Sequence, residues 1–513
     1  MDPGIAVDPF VLAAGGLIVL GVLAAAFADR IRVPTLVVFL GVGMLIGSDG
    51  LGWVRFDDPG LAQTIAVIAL LVILFEGGLT TSVRNLRDAA GPGLALATVG
   101  VVLTATIVAA GVLLLTDLSL LTALLLGAVV ASTDAAAVFA IVRRAPLPRR
   151  VSSLLEVESG ANDPMAVLLT IALLEAWAGA VSPGELARFA VVQLLGGAAV
   201  GAAVGVATIG LLRSAGITAA TLYPLLALGA AGLAYGGAAA LGASGFLAVY
   251  LAGLLIGVAA PRQQRLIRTF HQALAGLSQI VLFLMLGVLV SPSTLPAVTV
   301  PALAITAVLL LVARPVAVHV CLGWHLLTGR WRLPEATLVS WAGLRGAVPI
   351  VLATFPLTVA YPQGAFIFST VFFVVLISTA LQGSTISLLA GRLGLRRHAS
   401  PWAPVAECLA ADSPDFDVIE VRLTPDLPVV GSRLREAPPP TGLLAVAVVR
   451  DGRTVLPDGA TVLRPHDRIL LTAAPHTSNE RRAQEWVAGG RPRGGERTGG
   501  SPRARRESRR TKG

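Results

Sequence analysis

The 513-residue chain is 55% hydrophobic and only 13% charged, with a formal net charge of +9. A long chain so poor in charge excludes a disordered or nucleic-acid-wrapping protein. Much of its arginine excess lies in short loops between apolar runs or in the last residues, so the positive charge reports topology rather than a nucleic-acid partner. Its two cysteines, Cys321 in an apolar run and Cys408 beyond the last one, argue against a disulfide framework or a cysteine-held metal.

From about Phe10 to Gly391 the apolar runs reach the length needed to cross a bilayer. The first, Phe10 to Phe27, is preceded by Asp2 and Asp8 without Lys or Arg, so it reads as a retained helix and not as a signal peptide. In chain order the spans fall near 10–28, 33–49, 62–80, 92–115, 119–142, 151–174, 188–211, 219–240, 244–260, 275–291, 299–325, 334–358 and 364–390. The fold expected is therefore an all-α polytopic membrane protein with about 13 transmembrane helices, followed by a small α+β domain.

The connections alternate in charge. Arg30, Arg32, Arg84, Arg87, Arg143, Arg144, Arg149, Arg150, Arg213, Arg262, Arg265, Arg268, Arg330, Arg332, Arg392, Arg396 and Arg397 fall on one side, and only Arg55 and Arg188 on the other. A soluble helical bundle has no reason to alternate in this way. The positive-inside rule then puts the N-terminus outside and the C-terminus in the cytoplasm, in a multi-pass protein of the inner (cell) membrane.

Three apolar spans carry polar clusters. Span five holds Ser132-Thr133-Asp134, span six Glu158-Ser159-Gly160-Ala161-Asn162-Asp163-Pro164, and span twelve Gly343-Leu344-Arg345-Gly346-Ala347-Val348-Pro349. At about 1.5 Å of rise per residue, Asp134 lies roughly 13 Å from the inner end of its span, and Asp163 and Arg345 roughly 18 Å from theirs. All three meet near the midplane, where ionisable groups are costly and mark ion pathways.

In span six the spacing of four between Glu158 and Asn162, and between Ser159 and Asp163, puts the oxygen set on one side of the helix. A hard monovalent cation takes oxygen ligands, which Asp163, Asp134, Ser159, Thr133 and carbonyls of broken helices supply. Asp163 can hold a proton or a cation but not both, and that competition couples an exchange. Arg345 is a permanent cation at the same depth and needs a carboxylate, for which Glu158 is the choice. Glu76 reads as a residue snorkelling or capping near the end of span three, and Arg314, before Pro315, as bracing a kink. Gln382 and Ser384 can satisfy backbone groups freed by the breaks. His271 and the run Arg262 to Arg268 read as a solvated helix at the membrane surface.

At these three motifs, in this order and spacing, residues 10 to 391 resemble the NhaP-type sodium or potassium/proton antiporters of the cation:proton antiporter superfamily. The resemblance implies inverted repeats of spans one to six and eight to thirteen, with spans five and twelve crossed and unwound, and homodimers working by an elevator-like movement. It implies ion binding at Thr133, Asp134, Glu158, Ser159 and Asp163, with Arg345 as ion-pair partner. Asn162, where the electrogenic branch has a second aspartate, implies electroneutral exchange of one cation for one proton.

After a linker, 398–414, short alternating strands at Val418–Leu423 and Leu443–Val449 and the hairpin signals Asp451-Gly452 and Asp458-Gly459 lead to Ile469-Leu470-Leu471. Residues 415–475 resemble a TrkA-C-type regulatory domain. No Gly-rich dinucleotide fingerprint precedes it. The resemblance implies a small regulatory ligand, such as a nucleotide second messenger, and tilts the substrate toward potassium. Residues 476–513 read as a basic disordered tail that could touch anionic lipid headgroups.

These readings converge on a secondary antiporter, not an enzyme. It needs no cofactor beyond the transported potassium or sodium and protons, and its partners are membrane lipid and a second copy. A ligand-gated potassium channel would need a carbonyl-lined filter such as Thr-Val-Gly-Tyr-Gly, which the chain lacks. No nucleophile triad or histidine-rich set in the spans supports a membrane-embedded enzyme.

Overall fold

The structure is a computed structural model, and it describes residues 8–31, 33–54, 58–81, 83–134, 147–179, 182–214, 219–259, 264–395, 417–450, 453–473 and 479–489. The chain divides into two compact units, Met1–Arg396 and Arg397–Gly513. The expected linker 398–414 and the end of the tail, 490–513, lie outside the described residues.

A helix stands at each of the thirteen expected spans. In the first unit α1 (Asp8–Ile31), α2 (Thr35–Ile46) and α3 (Pro59–Thr80) are followed by α4 (Val83–Ala95), which runs through a π-turn into α5 (Val101–Leu115). Then come α6 (Leu120–Ala131), α7 (Arg149–Ala178), and α8 (Pro183–Val191), which continues through a second π-turn into α9 (Gly197–Ser214). The remaining elements are α10 (Leu222–Ala240), α11 (Gly245–Ala259), α12 (Gln264–Leu289), α13 (Leu295–Val308), α14 (Arg314–Leu327), α15 (Leu333–Trp341), α16 (Ala347–Thr358) and α17 (Gly364–Arg392).

Seven of the described helices are long and apolar enough to cross a membrane, and shorter apolar helices such as α6 and α16 lie between them. Helices serve here because every backbone group in hydrocarbon must be satisfied within its own segment. Their ends are marked in the sequence. Asp58 accepts from the N–H groups of Gly60 (2.9 Å) and Leu61 (3.0 Å) ahead of Pro59, and Ser182 and Glu185 form a reciprocal capping box ahead of Pro183. Large apolar side chains such as Leu114, Leu327 and Val300 face outward, as a lipid environment requires.

The helices sort into two bundles. One gathers α1–α3 and α9–α12, held by close backbone approaches. A Cβ on Gly78, Gly253 or Gly257 would overlap the facing backbone of α11 or α3, and Gly43 meets Gly287 in the same way. The other gathers α4–α7 and α13–α17. They meet along a narrower seam, where α3 faces α16 and α7 faces α11.

His271 departs from the expected solvated helix. It lies on the stripe Ile267, His271, Ala275 of α12, which is fully buried, and its ring packs 5.0 Å from that of Phe75. Arg265 is exposed on the opposite side, so the charged run shares the helix but not the face.

The second unit is a four-stranded antiparallel sheet of order β1-β4-β2-β3, with β1 (Asp417–Arg422), β2 (Leu444–Arg450), β3 (Arg453–Val455) and β4 (Arg468–Ala473). Ile419, Val421, Val448, Ile469 and Leu471 form its core. The pairing of Arg450 with Arg453 leaves a two-residue connection, and its residues Asp451 and Gly452 lie outside the described ones. Asp458-Gly459 does not join two paired strands. Asp458 instead accepts from its own loop, from Ala460 N–H (3.1 Å) and Thr461 Oγ1 (2.7 Å). The unit also runs past residue 475. Residues expected to be a disordered tail form α18 (Asn479–Val487), and Ala483, Trp486 and Val487 are buried in the sheet's core.

Candidate functional site

The two interrupted spans, fifth and twelfth, face each other in the second bundle. The fifth leaves helical geometry at Ser132, whose backbone is extended (φ −64°, ψ 142°), and Ser132, Thr133 and Asp134 are buried. The remainder of that span, 135–142, lies outside the described residues. The twelfth is unwound between α15 and α16 over 342–346.

The unwound stretches bond to each other. Asp134 donates its N–H to the Leu344 carbonyl (2.9 Å), and Ala347 N–H donates to Asp134 Oδ2 (3.1 Å). The carboxylate therefore sits at the N-terminus of α16, where free N–H groups and the helix dipole favour negative charge. Gly346 makes this approach feasible, since a Cβ there would overlap the Asp134 carboxylate. Helix α17 satisfies other freed groups: Arg345 N–H donates to Ser378 Oγ (3.1 Å), Thr379 Oγ1 to the Arg345 carbonyl (2.8 Å), and Gln382 Nε2 to the Trp341 carbonyl (2.8 Å). Ser384 bonds within its own helix, to Ala380 O (2.6 Å).

Helix α7 passes this crossing unbroken, although Pro164 has no N–H to offer the Gly160 carbonyl. Ser132 Oγ donates to Asp163 Oδ1 (2.6 Å), Thr133 Oγ1 and Ser159 Oγ lie 3.2 Å apart, and the Asn162 amide donates to Thr133 Oγ1. Asp163 Oδ2 and Asn162 Oδ1 are buried without a hydrogen-bond partner among the described residues. Five oxygen-bearing side chains, those of Ser132, Thr133, Ser159, Asn162 and Asp163, thus converge, with two acceptors unsatisfied. Such acceptors in a dry interior suit a proton or an oxygen-seeking cation. Ser132 is the member that spacing on span six could not reveal. Its signal was the run Ser-Thr-Asp itself.

Glu158 belongs to a different contact. The expected pair with Arg345 does not form. Arg314 binds Glu158 through both guanidinium nitrogens, Nη1 to Oε1 and Nη2 to Oε2 (2.8 Å), with both side chains buried, and its Nη2 also reaches the Val339 carbonyl (3.4 Å). A π-turn over Leu309–Ala313 precedes Arg314 at the start of α14. Gly343 leaves the space, because a Cβ there would overlap the Arg314 guanidinium. Arg345, its backbone pinned by α17, turns Nη1 to the Gly343 carbonyl (3.2 Å), and its Nε and Nη2 have no hydrogen-bond partner among the described residues. Glu76 is half-buried on α3, close enough to Arg268 for their charges to interact.

Two spans that leave helical geometry and bond to each other there, beside a continuous helix whose buried carboxylate oxygen has no partner among the described residues, are the construction of a secondary ion transporter. The chain belongs to the sodium/hydrogen exchanger family, whose transmembrane model matches residues 16–391, and a TrkA-C domain model matches 418–483. It is therefore a multi-pass membrane antiporter with a TrkA-C domain. It is 38% identical over 472 residues to the K(+)/H(+) antiporter NhaP of Alkalimonas amylolytica, covering 91% of this chain and 81% of that one. Against the K(+)/H(+) antiporter NhaP2 of Shewanella sp. (strain MR-4) it is 35% identical over 470 residues, with the same coverage. The sodium proton antiporter MjNhaP1 of Methanocaldococcus jannaschii, in its structure at pH 8, shares the fold. The TM-score is 0.67 at 23% identity, over 76% of this chain and 99% of that one.

Proposed function

We propose that this antiporter exchanges potassium for protons electroneutrally, with cation and proton competing for Asp163. The observation that carries the reading is the buried Asp163 Oδ2, which has no hydrogen-bond partner among the described residues, while the other oxygen of the same carboxylate accepts from Ser132 Oγ. Asp134 supports the site as the carboxylate on the N-terminus of α16, and Asn162 contributes an amide oxygen without a second negative charge. With Glu158 held by Arg314, Asp163 is left to exchange its load.

Potassium is favoured by the names of the similar bacterial antiporters and by the TrkA-C domain, to which we assign a small regulatory ligand such as a nucleotide. Sodium is the alternative, consistent with the name of the family. We further assign a homodimer with its N-terminus outside and its C-terminus in the cytoplasm, which carries out no covalent chemistry.

The test is a pH probe in everted vesicles or proteoliposomes, titrated separately with potassium and sodium. Potassium should move protons at lower concentration than sodium. Asp163→Asn, properly folded, should abolish exchange with both ions. Full activity in that variant would overturn the single-site mechanism.

A further inference from the structure

The seam between the bundles brings a second carboxylate into line with Asp163. On α7, Glu156, Gly160 and Asp163 share one helix face at the spacing i, i+4, i+7. Glu156 stands about 10 Å along the axis from Asp163, toward the Arg149 and Arg150 end of the helix. It is half-buried and makes no hydrogen bond or ion pair among the described residues.

Between the two carboxylates lies a side chain from the other bundle. Tyr250 of α11 rests on Gly160, where any Cβ would overlap its phenol, and its hydroxyl is 3.5 Å from Thr81 Oγ1 at the end of α3. That hydroxyl lies within electrostatic reach of both Glu156 and Asp163. Tyr250 is buried, and the oxygen of Asp163 beyond it is unpartnered.

We propose that Glu156 is the entry station for the transported cation on the arginine-rich side of the membrane, and that the Tyr250 phenol seated on Gly160 is the constriction it passes to reach Asp163. A cation shedding water over such a distance in a low-dielectric seam needs an anionic oxygen along the way. Glu156 supplies it at the mouth, still partly hydrated, and the Tyr250 hydroxyl offers a neutral oxygen one helical turn further in. The seam is also where two bundles that move relative to each other would open.

The inference rests on the exchange reading of Asp163, and sidedness separates the two. In proteoliposomes of defined orientation, the apparent KM for potassium is measured with the ion presented to each face in turn. Glu156→Gln should raise KM about tenfold from the arginine-rich face, as expected for loss of one poorly screened charge, and leave the opposite face unchanged. Glu156→Asp should restore most of the affinity. Tyr250→Phe, which keeps the ring and removes the oxygen, should raise KM on the same face alone. An equal change on both faces, or none on either, overturns the proposal. Wild-type protein that exchanges no cation from either face overturns the Asp163 reading and this proposal together.

Discussion

Arg314 and Arg345 lie in the same buried neighbourhood, yet among the described residues only Arg314 is held by a carboxylate. Removing one member of a buried, bidentate pair leaves an uncompensated charge. Arg314→Gln should therefore cost about 3–5 kcal/mol, and Arg314→Lys should not rescue it, because an ammonium cannot make the two parallel bonds. Arg345→Gln removes a guanidinium with one hydrogen bond and should cost less. Thermal unfolding of the detergent-solubilised variants gives the ranking, and an equal or greater loss at Arg345 would contradict the geometry. Arg314, like Asp163, stands deep in its expected span, roughly 16 Å from the end. Depth was thus legible for both arginines. Partnership was not, because Glu158 and Arg314 are 156 residues apart and only the packing of α14 against the unwound stretch decides between them.

At the scale of elements, the polar clusters interrupting spans five and twelve were legible in the runs, their unwinding came from the family resemblance, and the backbone groups freed in span twelve have partners on α17, Gln382 among them. The stripe that buries His271 was also present, as Ile267, His271 and Ala275, but the neighbouring arginines masked it. In the second unit, alternation marked the strands, while α18 went unread because its polar composition hid three inward residues. Two elements carry predictions. Gly346→Ala should push the Asp134 carboxylate off the N-terminus of α16 and abolish exchange, read as vesicle pH change in protein that still runs as one species on gel filtration. Asp467, on the loop into β4, is the second. Burial alone would raise its pKa, but the Arg450 guanidinium (Nε to Oδ1 2.8 Å, Nη2 to Oδ2 2.7 Å) and the Arg464 N–H outweigh that and hold it below the usual carboxylate range. A lowered folded-state pKa contributes stability above the unfolded value, and that stability is lost as pH falls through the folded one. Asp467→Asn should destabilise the sheet by about 2 kcal/mol at neutral pH, with the difference from wild type shrinking as pH falls below the ordinary carboxylate range and through the lowered folded-state value. Hydrogen exchange at the β4 amides of the full-length protein measures it.

For the whole molecule, the charge carried per cycle depends only on what differs between the two crossings. Fixed charges such as Arg345, the Glu158–Arg314 pair and Asp134 at its helix N-terminus return to where they started at the end of any complete cycle, so their contributions cancel. On the mechanism proposed above, Asp163 would cross once with a proton and once with a monovalent cation, and both loads would bring it to the same charge. Exchange should then run at a rate that an imposed potential biases in its half-steps without driving net ion movement. Asn162 is the residue on which this balance turns. Its amide donates to Thr133 Oγ1, and its own oxygen, like Asp163 Oδ2, is buried without a partner among the described residues. Asn162→Asp would remove the donor and add a second carboxylate able to take up a second proton on the return crossing. The expected result is slower exchange that a potassium-independent membrane potential can now drive. The measurement is sodium-coupled pH change in proteoliposomes clamped with a lipophilic ion, with sodium used so that the clamp and the substrate stay separate. Potential-driven exchange already present in the wild type would contradict the one-for-one stoichiometry. An active Asn162→Asp variant that stays indifferent to potential would mean that the second carboxylate never changes its proton during the cycle.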